Sequence, residues 1–157
     1  MEKELLTFIA KAHKNTYAAS KEIKEKYKCD PILEGHDDYE YSEGEWSYHD
    51  SYAGNAWAPG REVVFYKGKP FWSMAYQGQT IEGLDKDFIN EIFDFLKKVL
   101  RDIDESFPFR GPKNFKEGDF EYSFEIEGEY RYFIGRENIK YKNKEVFFQN
   151  VMCSLIK

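Results

Sequence analysis

Asp37 and Asp50 are the acidic residues whose placement lets them do chemistry together. With Glu43-Gly44 as a two-residue hairpin turn, Tyr41 faces Trp46, Tyr39 faces Tyr48, Asp38 faces His49 and Asp37 faces Asp50. Two carboxyls side by side in a poorly solvated place cannot both ionise cheaply, so one keeps its proton and can serve as a general acid. The competing reading frays the strands before Asp37, leaves that residue in water and makes Asp50 the cap of a loop backbone. Arg110, in the stretch FRGP, is expected to approach Asp50 or the segment around it, beside Tyr52 or Trp57. Its planar fork suits two carboxylate oxygens at once, and such a contact would ionise both acids and turn the pair into a polar anchor.

Other chemistries have no signature here. His13, His36 and His49 lack the spacing of metal ligands, and Cys29 and Cys153 belong to no CxxC pair, so no metal and no cofactor is expected. His49 is expected to pair with Asp38 at the surface. No Gly-rich phosphate loop and no GxSxG elbow occurs.

The elements that must hold these residues are announced by an echo. GREVVFYKGK at 60–69 returns as GRENIKYKNK at 135–144, identical at six of ten positions. DYEYS at 38–42 resembles DFEYS at 119–123, EGEWSY at 43–48 resembles EGEYRY at 127–132, and LLTFIAKAHK at 5–14 resembles IFDFLKKVLR at 92–101. The expected fold class is therefore α+β: an internal duplication, about 1–83 and 84–157, of a helix plus a four-stranded antiparallel sheet, packed as one domain with pseudo-two-fold symmetry.

Local patterns supply the pieces. Leu5, Leu6, Phe8, Ile9 and Ala12 make one helical stripe, and Phe88, Ile89, Ile92, Phe93, Phe95, Leu96, Val99 and Leu100 make a wider one, expected to be the more buried. Alternation marks strands through Tyr39 and Tyr41, through Trp46 and Tyr48, through Val64 and Tyr66, and through Trp72, Met74 and Tyr76. Lys67-Gly68-Lys69 and Lys142-Asn143-Lys144 supply turns, because Gly and Asn tolerate positive φ. KEIKEKYK at 21–28 mixes signs and reads as a solvated helical turn. Trp46, Trp72, Met74, Phe95, Leu96 and Tyr122 are the expected core.

Where the echo breaks, function could have been added. HDSYAGNAWAPG at 49–60 stands against FIG at 133–135, an apparent nine-residue excess carrying Tyr52 and Trp57. Such a loop can cover a pocket or meet a partner.

The chain has 157 residues, 41% hydrophobic and 18% aromatic, enough for one core and weighted toward strands. Its formal net charge of -6 gives no electrostatic footprint for direct contact with nucleic acid or an anionic membrane surface. A Met-Glu-Lys start without an apolar region, and two cysteines that allow one bridge at most, favour a soluble, cytoplasmic protein.

DSYAG at 50–54, GREVVFYKGKPFWSMAYQG at 60–78, NTYA at 15–18 and FRGP at 109–112 resemble an uncharacterised bacterial and archaeal family, a domain of unknown function found alone or behind a helix-turn-helix segment. The resemblance spans nearly the whole chain. It implies a sensory or interaction module, here in stand-alone form, with a shorter, glycine-rich connector than residues 19–37 provide. Two function classes follow. One is a binding module for a small molecule or protein partner, homodimerisation included, with Asp50, Tyr52, Trp57, Glu62, Trp72, Tyr76 and Arg110 at the site. The alternative is a small hydrolase or isomerase using Asp37 and Asp50 as acid and base.

Overall fold

The computed structural model describes residues 1–157. Helix α1 (Glu2–Asn15) and the short α2 (Lys21–Lys26) precede β1 (Lys28–Cys29), β2 (His36–Glu43), β3 (Trp46–Ala53), β4 (Gly60–Tyr66) and β5 (Lys69–Thr80). Helix α3 (Lys86–Leu100) then leads to β6 (Asn114–Glu117), β7 (Phe120–Glu129), β8 (Tyr132–Tyr141) and β9 (Lys144–Leu155). All the strands join one antiparallel sheet in the order β1-β2-β3-β4-β5-β9-β8-β7-β6.

That continuity overturns the α+β duplication of a helix with its own four-stranded sheet. Strands β5 and β9, expected in separate sheets, hydrogen-bond to each other from Trp72↔Leu155 to Thr80↔Phe147. Joining them leaves no unpaired edge at the centre of the molecule, where an exposed strand edge would invite pairing with another chain. The first GRE segment begins β4 and the second lies in the middle of β8, and Tyr76 lies opposite Val151, the residue 75 positions later, at the middle of the β5–β9 seam. The outer echoes do not align in the same way: DYEYS belongs to β2 and DFEYS leads into β7.

One face of the sheet is the core. Tyr41, Tyr48, Val64 and Trp72 form one cross-strand row, and Tyr122, Ile139 and Phe147 form another. Leu5, Phe8, Ile9 and Ala12 of α1 and Ile92, Phe95, Leu96, Val99 and Leu100 of α3 pack into that face, so the wider stripe of α3 is not the more deeply buried one. Trp72 is fully buried and donates its indole N–H to the Tyr130 carbonyl at 2.9 Å. Trp46 is half-buried, stacked on Phe8 and tilted against Tyr66, so it borders the core without entering it. Helix α2 buries no side chain, as its mixed charges require.

The turns explain the register. Lys67 and Gly68 both take positive φ, as do Lys142 and Asn143, which is what a two-residue turn between right-twisted strands demands. In the β2–β3 hairpin, Gly44 alone takes positive φ, at 62°. A turn with its positive φ at the first central residue makes Gly44-Glu45 the centre and Glu43↔Trp46 the closing pair. Moving the turn by one residue slides the partners by two. Tyr39 therefore faces Asp50, and Asp37 faces Tyr52.

Candidate functional site

A polar cluster occupies the buried face, and it begins with a cross-strand pair. Asp50 of β3 lies directly opposite Glu62 of β4, and both are buried. His13, near the end of α1, reaches down to them: Nε2 lies 2.8 Å from Glu62 Oε2, and Nδ1 lies 2.8 Å from the Pro108 carbonyl oxygen. A carbonyl only accepts, so Nδ1 carries a hydrogen and Nε2 shares a proton with the Glu62 carboxyl. Tyr76 comes from β5, two strands away from Asp50, and its hydroxyl donates to Asp50 Oδ1 at 2.8 Å. It can cross β4 because its cross-strand neighbour is Gly60: a Cβ there would stand 2.3 Å from the Tyr76 hydroxyl.

The second GRE segment builds a different environment around its glutamate. Glu137 of β8 receives Arg110 Nη2 at 3.0 Å and Arg110 Nε at 3.2 Å, the Tyr122 hydroxyl at 2.7 Å and Gln149 Nε2 at 3.0 Å. Both oxygens of this buried carboxylate are supplied with donors, as a desolvated ion pair requires. The Arg110 guanidinium also lies 4.8 Å from the centre of the Tyr17 ring.

The two glutamates thus face opposite situations. Around Glu137 every acceptor is used. Around Glu62 four buried polar atoms have no partner: Glu62 Oε1, Asp50 Oδ2, and the hydroxyls of Tyr17 and Tyr48. They belong to one place, since the His13 ring lies 4.7 Å from that of Tyr17 and 5.8 Å from that of Tyr48. Burial pushes the Asp50 carboxyl up to about 8, the negative charge of Glu62 adds to the rise, and the Tyr76 hydrogen bond and Arg110 oppose it. At neutral pH Asp50 is a carboxylic acid with an unused O–H. Burial also holds the Tyr17 and Tyr48 phenols well above their ordinary range, so both stay neutral.

Of the residues singled out in the sequence, Asp50, Glu62, Tyr76 and Arg110 come together here. Arg110 is bound to Glu137 and not to Asp50, so it anchors the neighbouring half of the cluster. Asp37 does not take part: it is partly exposed, 2.7 Å from Lys28 Nζ, and faces Tyr52 rather than Asp50. Tyr52 stacks on Tyr39 under Lys24, and the half-exposed Trp57 donates its N–H to the Thr80 carbonyl at 3.2 Å. Trp72 is core packing. The nine-residue excess also dissolves: residues 53–59 separate the pair Tyr52↔Gly60, whereas residues 127–134 separate Ile126↔Gly135, so the first connection is one residue shorter. Sequence reasoning missed His13, Tyr17, Tyr48 and Glu137. Only Glu137 had a signal, because the echo places it where Glu62 stands.

No helix is long and apolar enough to cross a membrane. No curated protein and no solved structure matches the chain. A family model described as a domain of unknown function matches residues 50–155, a span that begins at Asp50 and takes in Glu62, Tyr76, Arg110 and Glu137, and the chain belongs to that family, DUF5680.

Proposed function

We propose that this protein is a small-molecule binding module whose ligand places a polar, hydrogen-donating end against Asp50 and Glu62. The observation that carries the reading is the set of four unpartnered buried atoms around His13 and Glu62, beside a counterpart in which both oxygens of Glu137 are matched. A buried donor or acceptor left unmade costs about 1–3 kcal/mol, so four together are a standing cost that a ligand would remove. The chemistry favours a small amine or amidine. Its N–H groups would donate to Glu62 Oε1 and to a Tyr hydroxyl, and its charge would let Asp50 ionise and accept a third hydrogen bond.

The test is a thermal-shift titration with small primary amines, diamines and amidines, since binding to the folded state alone raises stability by mass action. The wild-type chain should be stabilised by members of this set. Glu62→Gln should remove the response while remaining folded, and Trp57→Ala, distant in role, should keep it. A response that survives Glu62→Gln undiminished would contradict the reading.

A second reading rests on the Asp50 carboxyl, which keeps its proton at neutral pH next to the Glu62–His13 pair. One group holding a proton beside one able to take it is the pairing general acid–base catalysis uses. The acid would be Asp50 and the base Glu62 with His13, in place of the Asp37–Asp50 pair. Turnover of a responding ligand, with a rate that falls above pH 8 in parallel with Asp50 ionisation, would distinguish catalysis from binding alone.

A further inference from the structure

The opposite face of the sheet carries a second constellation at its β1 edge. Cys29 of β1 pairs with Asp38 of β2, and Glu40 of β2 pairs with His49 of β3. Residues two apart on a strand share a face, so Cys29, Asp38, Glu40 and His49 stand in two adjacent cross-strand rows. The Cys29 sulfur, a Glu40 carboxylate oxygen and a His49 ring nitrogen all lie within 4.8 Å of one another. Linear spacing hides this trio, because it is assembled by strand pairing and not by a CxxC or HxxxH motif.

We propose that Cys29, Glu40 and His49 form a zinc-class metal site, with Asp38 positioning the histidine. The imidazole is what makes the arrangement specific. His49 Nε2 lies 2.8 Å from Asp38 Oδ2, and Nδ1 lies 3.0 Å from Glu40 Oε1. Asp38 is completely buried and is itself held by the Ser51 hydroxyl at 2.6 Å and the Ile32 N–H at 3.1 Å. A carboxylate fixed in that way accepts the Nε2 hydrogen, so the ring nitrogen left for a metal is Nδ1, which faces Glu40 and lies by Cys29. A carboxylate behind a ligating histidine is the arrangement that sets the tautomer in zinc proteins. A cation at Nδ1 would bridge the ring nitrogen and the Glu40 carboxylate oxygen now 3.0 Å from it.

The donor set of one thiolate, one imidazole and one carboxylate suits a borderline-soft ion of tetrahedral preference, Zn²⁺ before Mg²⁺ or Ca²⁺. Metal–ligand bonds of about 2.0–2.3 Å place tetrahedral ligand atoms roughly 3.3–3.8 Å apart, so the Cys29 sulfur has to close by up to about 1 Å while the Glu40–His49 pair, at 3.0 Å, opens slightly. Glu40 is exposed and Cys29 lies on a two-residue edge strand, and both can make that adjustment. Three protein ligands leave a fourth position for water or an exogenous ligand. Binding releases the Cys29 thiol proton to solvent and forms the metal–sulfur bond, with no change of oxidation state. It also ties the edge strand β1 to β2 and β3.

Titration of the purified chain with Co²⁺, the usual spectroscopic stand-in for Zn²⁺, tests the site, with competition against a chromophoric chelator for Zn²⁺ itself. The expected result is one equivalent bound with thiolate-to-cobalt charge-transfer absorption. Cys29→Ser should abolish that absorption, and the exposed Glu40→Gln, which leaves the core untouched, should weaken Zn²⁺ binding by about 10-fold or more. Asp38→Asn should weaken it by about 10- to 100-fold while keeping the thiolate band, the signature of a positioning residue. Absence of the charge-transfer band in the wild-type chain, or Zn²⁺ affinity unchanged in both Cys29→Ser and Glu40→Gln, overturns the proposal.

Discussion

Tyr76 reaches across an entire strand to donate its hydroxyl hydrogen to Asp50, and Gly60 is the residue it crosses. An aromatic ring laid over a strand glycine covers backbone that no side chain protects. Here the same ring fixes one Asp50 oxygen and leaves the other unpartnered. Gly60→Ala is therefore expected to displace Tyr76 and to loosen Asp50, costing about 1–3 kcal/mol, the usual range for overfilling a packed site. Chemical denaturation measures the loss, and a variant as stable as wild type would show that the ring is not confined by Gly60.

The unpartnered hydroxyls make a prediction of opposite sign. Tyr48→Phe deletes a buried hydroxyl that has no hydrogen bond, so the free chain should gain about 1 kcal/mol of stability. The same variant should bind a responding amine more weakly. Stability gained together with binding lost is the behaviour of a group kept for function at the expense of the fold. Equal stability losses in Tyr48→Phe and in core variants would mean that the hydroxyl is already satisfied.

Arg110→Met tests the other half of the cluster. Removing the guanidinium strands the Glu137 carboxylate among Tyr122 and Gln149 with no charge partner, which should cost about 3–5 kcal/mol. Adding Glu137→Gln should recover part of that loss, because the orphaned charge goes with it. Additive effects of the two substitutions in a double-mutant cycle would contradict the ion pair.

Asp50 gives the protein a stability slope with pH whose sign is fixed. The unfolded chain releases this proton at about 3.9. The folded chain holds it up to about 8. Between those values the folded state binds the extra proton, so this group's stabilising contribution is complete below about 4 and is lost as pH rises through 8, by up to ~1.4 kcal/mol per pH unit. Asp50→Asn, a neutral mimic of the protonated acid, should lack that component and should overtake wild type in stability toward pH 8. Denaturation curves at several pH values compare the two slopes, and identical slopes would place Asp50 in an ordinary aqueous environment.

Much of the local structure was legible because it is written in adjacent residues. The alternation through Trp72, Met74 and Tyr76, the turn chemistry of Lys67-Gly68 and Lys142-Asn143, and the solvated turn at Lys21–Lys26 depend on neighbours in sequence. What joins β5 to β9 does not, because two strand edges carry the same unpaired N–H and C=O groups whichever strand they meet. The Asp37–Asp50 pairing failed for a smaller reason. Gly44 takes positive φ at the first central turn position, and that one-residue displacement brings Asp50 opposite Tyr39, while the separate β3–β4 pairing sets it against Glu62. His13 carried no site signal, since its partners Glu62 and Pro108 lie 49 and 95 positions away.

The most direct measurement is a carbon-13 NMR titration of the Asp50 carboxyl in the free chain and with a saturating amine that stabilises it. A desolvated carboxyl beside Glu62, waiting for a cationic partner, should titrate at about 8 when free. Bound amine should pull that midpoint down by at least a unit, because a nearby positive charge favours the ionised form. A free midpoint of about 4, the ordinary aspartate value, unmoved by any amine in the set, would contradict the account.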